Sequence, residues 1–150
     1  MPATYADASF LVSLYLRDSN SAPAAALVQK AQLALTLTAL QRHELRNALR
    51  LAVFRTKGTP AAITELDARN ALAQVDADLV SGNLIEASLP WTDTMVEAER
   101  LGRAHTMTLG VRGMDLLNVA VAVTTKARTF LTFDARQRAV AQAAGLLVRP

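Results

Sequence analysis

The chain has 150 residues, of which 51% are hydrophobic, and its formal net charge is +3. This length and composition predict a single domain, residues 1–150, with its own core, and the only tryptophan, Trp91, is expected to fill part of that core. The absence of cysteine excludes disulfides and thiolate zinc sites and fits an intracellular protein. The N-terminus lacks a secretion-signal pattern, and no apolar run approaches the about 20 residues of a membrane span, so we expect a cytoplasmic protein with no membrane contact.

Short apolar segments alternate with longer helical patterns along the chain. Such alternation normally produces right-handed crossovers between parallel strands. The predicted fold is therefore α/β and three-layered, with a mainly parallel central sheet of about five strands and helices on both faces. The predicted strands are residues 4–6, 33–37, 84–89, 129–133 and 146–148.

Helix boundaries are marked in the middle of the chain. Residues 58–60 predict a turn between two helices, in which Thr59 is expected to cap the second helix and Pro60 to occupy its first position. Gly82 is expected to end that helix, and Thr92 to begin the next one.

Two acidic residues directly follow predicted strands. Asp7 follows the first strand and Asp134 the fourth, and ligand sites of open α/β sheets lie at this carboxyl edge. Each residue also fits a helix N-cap, a role worth about 1 kcal/mol. If the two strands are neighbours, the two carboxylates would repel each other unless a cation lay between them.

Two further acids lie within apolar helical patterns. Glu44 falls inside a helix predicted from about residue 38 to 55, where a helix cap cannot explain it and where burial requires a metal ion or a buried arginine. Asp115 lies at the start of an almost wholly apolar helix. Two roles are open for it, that of a metal ligand and that of a first-turn acid stabilised by the helix dipole. Asn118, one turn later on the same face, is expected to orient Asp115 or a metal-bound water.

Basic residues accompany these acids, and a sequence pI of about 9.8 permits binding of polyanions such as RNA. Arg112 and Arg136 stand close to Asp115 and Asp134 in the sequence and are candidates for substrate binding. A second group recurs at every fourth position of the Glu44 helix. It could guide phosphate, bind acidic groups of a protein partner or form a solvated face, and it consists of Arg42, Arg46 and Arg50.

In these features the chain resembles the PIN-domain ribonucleases, and in particular the VapC-type toxins of bacterial toxin–antitoxin pairs. The resemblance covers essentially the whole chain. It departs at Leu116, where alanine is usual, a change that bears on packing. The motifs that carry it are Asp7 with Ala8 and Ser9, Glu44 within HELRNAL, Asp115 within DLLNVAVA, and Asp134 after Thr132 and Phe133.

The resemblance implies a metal-dependent endoribonuclease that acts as a toxin on tRNA, rRNA or mRNA, with Mg²⁺ or Mn²⁺ as its cofactor. It also implies a VapB-like antitoxin and a homodimer. The alternative is a non-catalytic PIN-like module that binds RNA or protein, and the presence of all four acids favours the enzyme. The implied metal-binding and catalytic acids are Asp7, Glu44, Asp115 and Asp134, and the supporting hydroxyls are Ser9 and Thr132.

Overall fold

The computed structural model of the chain describes residues 4–150. Within them one sheet contains five strands, all parallel, in agreement with the predicted architecture. The strands are β1 (Thr4–Ala6), β2 (Leu35–Thr38), β3 (Leu84–Ala87), β4 (Thr129–Leu131) and β5 (Leu147–Arg149). Their order is β3-β2-β1-β4-β5, which makes the N-terminal strand the central one.

Helices cover both faces of the sheet and enclose two buried apolar clusters. In chain order the helices are α1 (Ala8–Tyr15), α2 (Ser21–Ala31), α3 (Ala39–Thr56), α4 (Glu65–Ser81), α5 (Trp91–Leu109), α6 (Gly113–Thr124) and α7 (Ala135–Ala143). Residues of α1 to α4 form one cluster with Ala6, and residues of α5 to α7 form the other with Tyr5. The two faces of β1 therefore contribute to different halves of the core, as the alternation of side chains along a strand requires.

The sheet order places β1 beside β4, a strand more than 120 residues later in the sequence. β1 pairs with β4 from Thr4 opposite Thr129 to Ala6 opposite Leu131. Beyond these pairs, the Asp7 amide donates a 3.0 Å hydrogen bond to the Leu131 carbonyl. The residues that follow β1 and β4 consequently share the carboxyl edge of the sheet, as expected for neighbouring parallel strands.

The expected start of the fourth helix at Thr59 is wrong. Thr59 lies in the turn, and α4 begins at Glu65 with Thr64 as its N-cap. The Thr64 hydroxyl accepts from the Asp67 amide at 3.1 Å, while the Asp67 carboxylate accepts from the Thr64 amide at 2.8 Å. This reciprocal capping box satisfies two amides at the helix start, which a proline in the first turn does not do.

The expectation that Trp91 fills the core is also wrong. Trp91 is the first residue of α5, one residue before the predicted start, and it is 52% exposed. The first predicted strand matches β1, and the ends of the other four differ by at most two residues, as at the third strand, which ends at Ala87 instead of residue 89. Within residues 4–150, no helix has both the length and the apolar character needed to cross a membrane.

Candidate metal-binding site

Asp7 is buried at the junction of β1 and α1, with 1% of its surface exposed. Its Oδ1 atom accepts from the Phe10 amide at 2.7 Å and from the Ser9 hydroxyl at 2.9 Å, and its Oδ2 atom accepts from the Thr132 hydroxyl at 2.6 Å. Burial raises the pKa of Asp7, these three hydrogen bonds lower it, and the charge of Asp134 raises it further. The carboxylate is therefore a helix cap and a fixed, desolvated anion at once.

Thr132 connects Asp7 with the start of α7. Its hydroxyl donates to Asp7 and accepts from the Asp134 amide at 3.0 Å. The Asp134 Oδ1 atom in turn caps α7 by accepting from the Arg136 and Gln137 amides at 2.8 and 3.0 Å. Both acids that follow strands thus act as N-caps and also influence each other electrostatically.

Glu44 lies on the flank of α3, next to the face that enters the core. The fully buried face of this helix consists of Gln41, Leu45 and Leu49, whereas Glu44 is half-buried. Its Oε2 atom is buried and has no hydrogen-bond partner among the described residues. Burial raises the pKa of Glu44, and the charge of Asp7 raises it further. An unpaired carboxylate oxygen in such a place is destabilising unless a cation or a proton compensates it.

The third element that reaches Glu44 is α6. Asp115 lies half-buried in its first turn, and its charge also raises the pKa of Glu44, while a hydrogen bond from the Asn118 side chain lowers it. Asn118 is buried, and its Oδ1 atom accepts from the Tyr5 hydroxyl at 3.4 Å. Tyr5 was not recognised in the sequence because a tyrosine inside a strand is usually a packing residue.

The four acids interact electrostatically, although within residues 4–150 no three acidic or histidine side chains lie close enough together to hold one ion as they stand. Asp7 and Asp115 both raise the pKa of Glu44, and Asp134 raises that of Asp7. A divalent cation would relieve this repulsion and would pair with the orphaned Glu44 oxygen. Carboxylate oxygens are also the ligands that Mg²⁺ and Mn²⁺ prefer, so the residues present fit such an ion.

The arginines near the acids differ in whether they form ion pairs. Arg42 forms a 2.7 Å ion pair with Glu86 at the edge strand, and Arg46 pairs with Asp76 of α4. These two arginines hold α3 to its neighbours at the surface. Arg112, the N-cap residue of α6, and Arg136, in the first turn of α7, are exposed and lie at the helix starts that carry Asp115 and Asp134.

Comparison with protein families identifies the class of protein to which this fold and these acids belong. The PIN-domain profile matches residues 4–143, and the chain therefore belongs to the PIN-domain family. Members of this family are nucleases, which generally use divalent metals. No curated protein matches the sequence significantly.

Solved structures with the same fold include three of low sequence identity. VapC20 of Mycobacterium tuberculosis, described as a sarcin–ricin loop cleaving toxin, has a TM-score of 0.67 and 16% identity, covering 99% of this chain and 100% of its own. FitAcB of Neisseria gonorrhoeae has a TM-score of 0.61 and 15% identity, with 98% and 96% coverage. PAE2754 of Pyrobaculum aerophilum has a TM-score of 0.56 and 18% identity, with 98% and 89% coverage. At these identities the similarity concerns the fold.

Proposed function

We propose that the protein is a metal-dependent endoribonuclease that acts as the toxin of a toxin–antitoxin pair. The observation that carries this proposal is the Glu44 carboxylate, which has a buried oxygen without a partner among the described residues. Burial raises the pKa of this group, and the charges of Asp7 and Asp115 raise it further. A protein that needed only stability would gain by replacing such a group. Its presence is explained if the acids hold a cation.

Asp7, Glu44 and Asp115 would hold Mg²⁺ or Mn²⁺, with Asp134 supporting a second ion. When bound, such ions supply an activated water and stabilise charge on the attacked phosphate and on the leaving oxygen. The contribution of the chain itself is to hold the carboxylates in position. Asp7 is fixed by three hydrogen bonds from residues of α1 and of the segment after β4, and the neighbouring Asn118 side chain lowers the pKa of Glu44.

Substrate approach needs basic groups, because the acidic site alone would repel a phosphodiester. Arg112 and Arg136 meet this need in the proposal, since both are exposed at helix starts that also carry acids of the site. The net charge of +3 favours encounters with a polyanion. An RNA substrate is further supported by the fold shared with VapC20, which cleaves the sarcin–ricin loop.

The partners in this proposal are a VapB-like antitoxin and a second copy of the chain. Both follow from the toxin assignment. Size-exclusion chromatography with light scattering measures whether the free chain is a dimer.

The test is cleavage of a mixed pool of tRNA, rRNA and mRNA by the pure protein in EDTA, Mg²⁺ or Mn²⁺. Asp7→Asn and Glu44→Gln keep side-chain size and remove one charge each. Both are expected to lower the cleavage rate by at least about 10²-fold, because they remove ligands of the ion that stabilises the transition state. Glu99→Gln is the matched control, since this exposed acid pairs with Arg103 on the outside of α5.

Metal-dependent cutting that survives in Glu99→Gln and is lost in the two site variants supports the nuclease. If the folded protein neither binds Mn²⁺ nor cuts any RNA in the pool, the alternative of a non-catalytic binding module is favoured. If cutting persists in EDTA, or in both site variants, the proposed site is wrong.

A further inference from the structure

Gln41 joins the strand that carries Asp7 to the helix that carries Glu44. It lies three residues before Glu44 on α3 and is completely buried, with 0% of its surface exposed. Its Oε1 atom accepts from the Thr38 amide at 3.1 Å, and its Nε2 atom donates to the Ala6 carbonyl. We call these two hydrogen bonds the Gln41 cross-link.

The cross-link lies just beyond the last paired residues of β1 and β2. β1 and β2 pair at Thr4 with Leu35 and at Tyr5 with Thr36. Ala6 is the next residue of β1, and Asp7 follows it directly. The Gln41 side chain therefore supplies the next connection between the two strands, immediately before the carboxylate of Asp7.

The chemistry at this position selects glutamine. A capping box needs only an acceptor three residues after the N-cap, which glutamate provides as well as glutamine does. The Ala6 carbonyl, however, is itself an acceptor and needs a donor. A glutamate at position 41 would place a carboxylate against that carbonyl and would add another buried anion beside Asp7 and Glu44. Only the amide satisfies both partners with no charge.

We propose that Gln41 is a positioning residue of the nuclease site, which sets the separation of the Asp7 and Glu44 carboxylates. This inference rests on the proposed function and names a residue outside the four acids. Burial and then the charge of Asp7 raise the pKa of Glu44, so the two carboxyl groups interact across the junction that Gln41 spans. Loss of the cross-link frees the end of β1 to shift relative to α3, and a displacement of about 1 Å at a catalytic centre can cost about 10²-fold in rate.

The test compares Gln41→Met, which keeps length and apolar volume but makes neither hydrogen bond, with Thr94→Val. Thr94 is also completely buried, and its hydroxyl bonds that of Thr124 at 2.9 Å between α5 and α6. Thr124 is nine residues beyond Asp115, about 13 Å along α6. The control therefore removes a buried interhelical bond far from the acids.

Both variants are expected to unfold at a lower temperature than the wild type. Only Gln41→Met is expected to weaken Mn²⁺ binding, by about 10-fold in titration calorimetry, and to lower kcat for RNA cleavage by about 10- to 100-fold. A second readout needs no metal. Hydrogen exchange of the Thr38 amide should accelerate in Gln41→Met and stay at the wild-type rate in Thr94→Val, because Gln41 is the acceptor of that amide.

A wild-type protein that binds Mn²⁺ and cuts RNA, together with a Gln41→Met variant that does both equally well, overturns the positioning role and leaves the proposed function standing. A wild-type protein that does neither overturns the proposed function, and the positioning role with it. Should Gln41→Met fail to fold, Gln41→Asn replaces it. Asparagine keeps the donor and acceptor but is too short to reach both partners, so its Mn²⁺ affinity must fall between those of the wild type and an acid variant, and wild-type affinity counts against the proposal.

Discussion

Replacing Thr132 by valine removes a single hydroxyl that two parts of the site share. This hydroxyl donates to Asp7 at 2.6 Å and accepts from the Asp134 amide at 3.0 Å. A hydrogen bond to a charged group contributes about 1.5–3 kcal/mol, and a neutral one about 1 kcal/mol. Because Thr132 is itself completely buried, water cannot reach this position to replace the lost donor. We expect the free energy of unfolding to fall by about 3 kcal/mol, which lowers Tm by roughly 6–12 °C for a domain of this size.

The assay is urea unfolding followed by circular dichroism in EDTA, with linear extrapolation to zero urea. Ser9→Ala is the control, since Ser9 also donates to Asp7 but is exposed, and water can take its place. Ser9→Ala should lower the free energy of unfolding by less than about 1 kcal/mol. The Thr132→Val loss should also shrink as the pH is lowered, because protonated Asp7 is a weaker acceptor. A loss equal to that of Ser9→Ala, or one independent of pH, would refute the reasoning.

Three other predictions concern the same junction and its surroundings. Burial raises the pKa of Glu44, so the native state retains a proton that the unfolded chain releases, and this stabilisation is lost as the pH rises through the raised pKa. Glu44→Gln should therefore flatten the decline of metal-free stability as the pH rises above the ordinary glutamate pKa, whereas Glu99→Gln should leave that decline unchanged. Tyr5→Phe keeps the aromatic stacking but loses the bond to Asn118; it should lower kcat with little change in KM, and an unchanged kcat counts against a role for this hydroxyl. Emission from Trp91 should be that of a solvated indole and be readily quenched by iodide, since the side chain is 52% exposed, and a blue-shifted, unquenched spectrum would contradict that exposure.

The architecture was predictable because periodicity and strand–helix alternation are properties of the local sequence. The number of strands, their parallel arrangement and the two-sided helical cover follow from it. The start of α4 was missed because Pro60 is a conspicuous helix-start signal, while the Thr64–Asp67 box is less so, although both were readable. Trp91 was misplaced because composition alone does not tell whether a large side chain at a helix end faces the core.

The candidate site was predictable only in part. The interpretations of Asp7 and Asp134 as caps or as site residues do not exclude each other, since both cap a helix and the charge of Asp134 still adds to the effect of burial in raising the pKa of Asp7. The sequence predicts Glu44 within the apolar pattern of its helix, whereas the buried face of α3 lies one position away, at Leu45. The pattern of Thr38 followed three residues later by Gln41 is a recognisable capping box and could have drawn attention to Gln41. Its second bond, to Ala6, could not have been found, because 35 residues separate the partners in sequence.

The position of β1 at the centre of the sheet has a consequence for synthesis of the protein. The bond between Thr132 and Asp7 closes a loop of 125 residues, so the first strand cannot acquire its second neighbour until β4 has been made. During translation Asp7 therefore exists without its Thr132 hydrogen bond until more than 120 further residues have been made. A chain proposed to cut RNA would thus remain inactive until β4 and the residues that follow it have been synthesised.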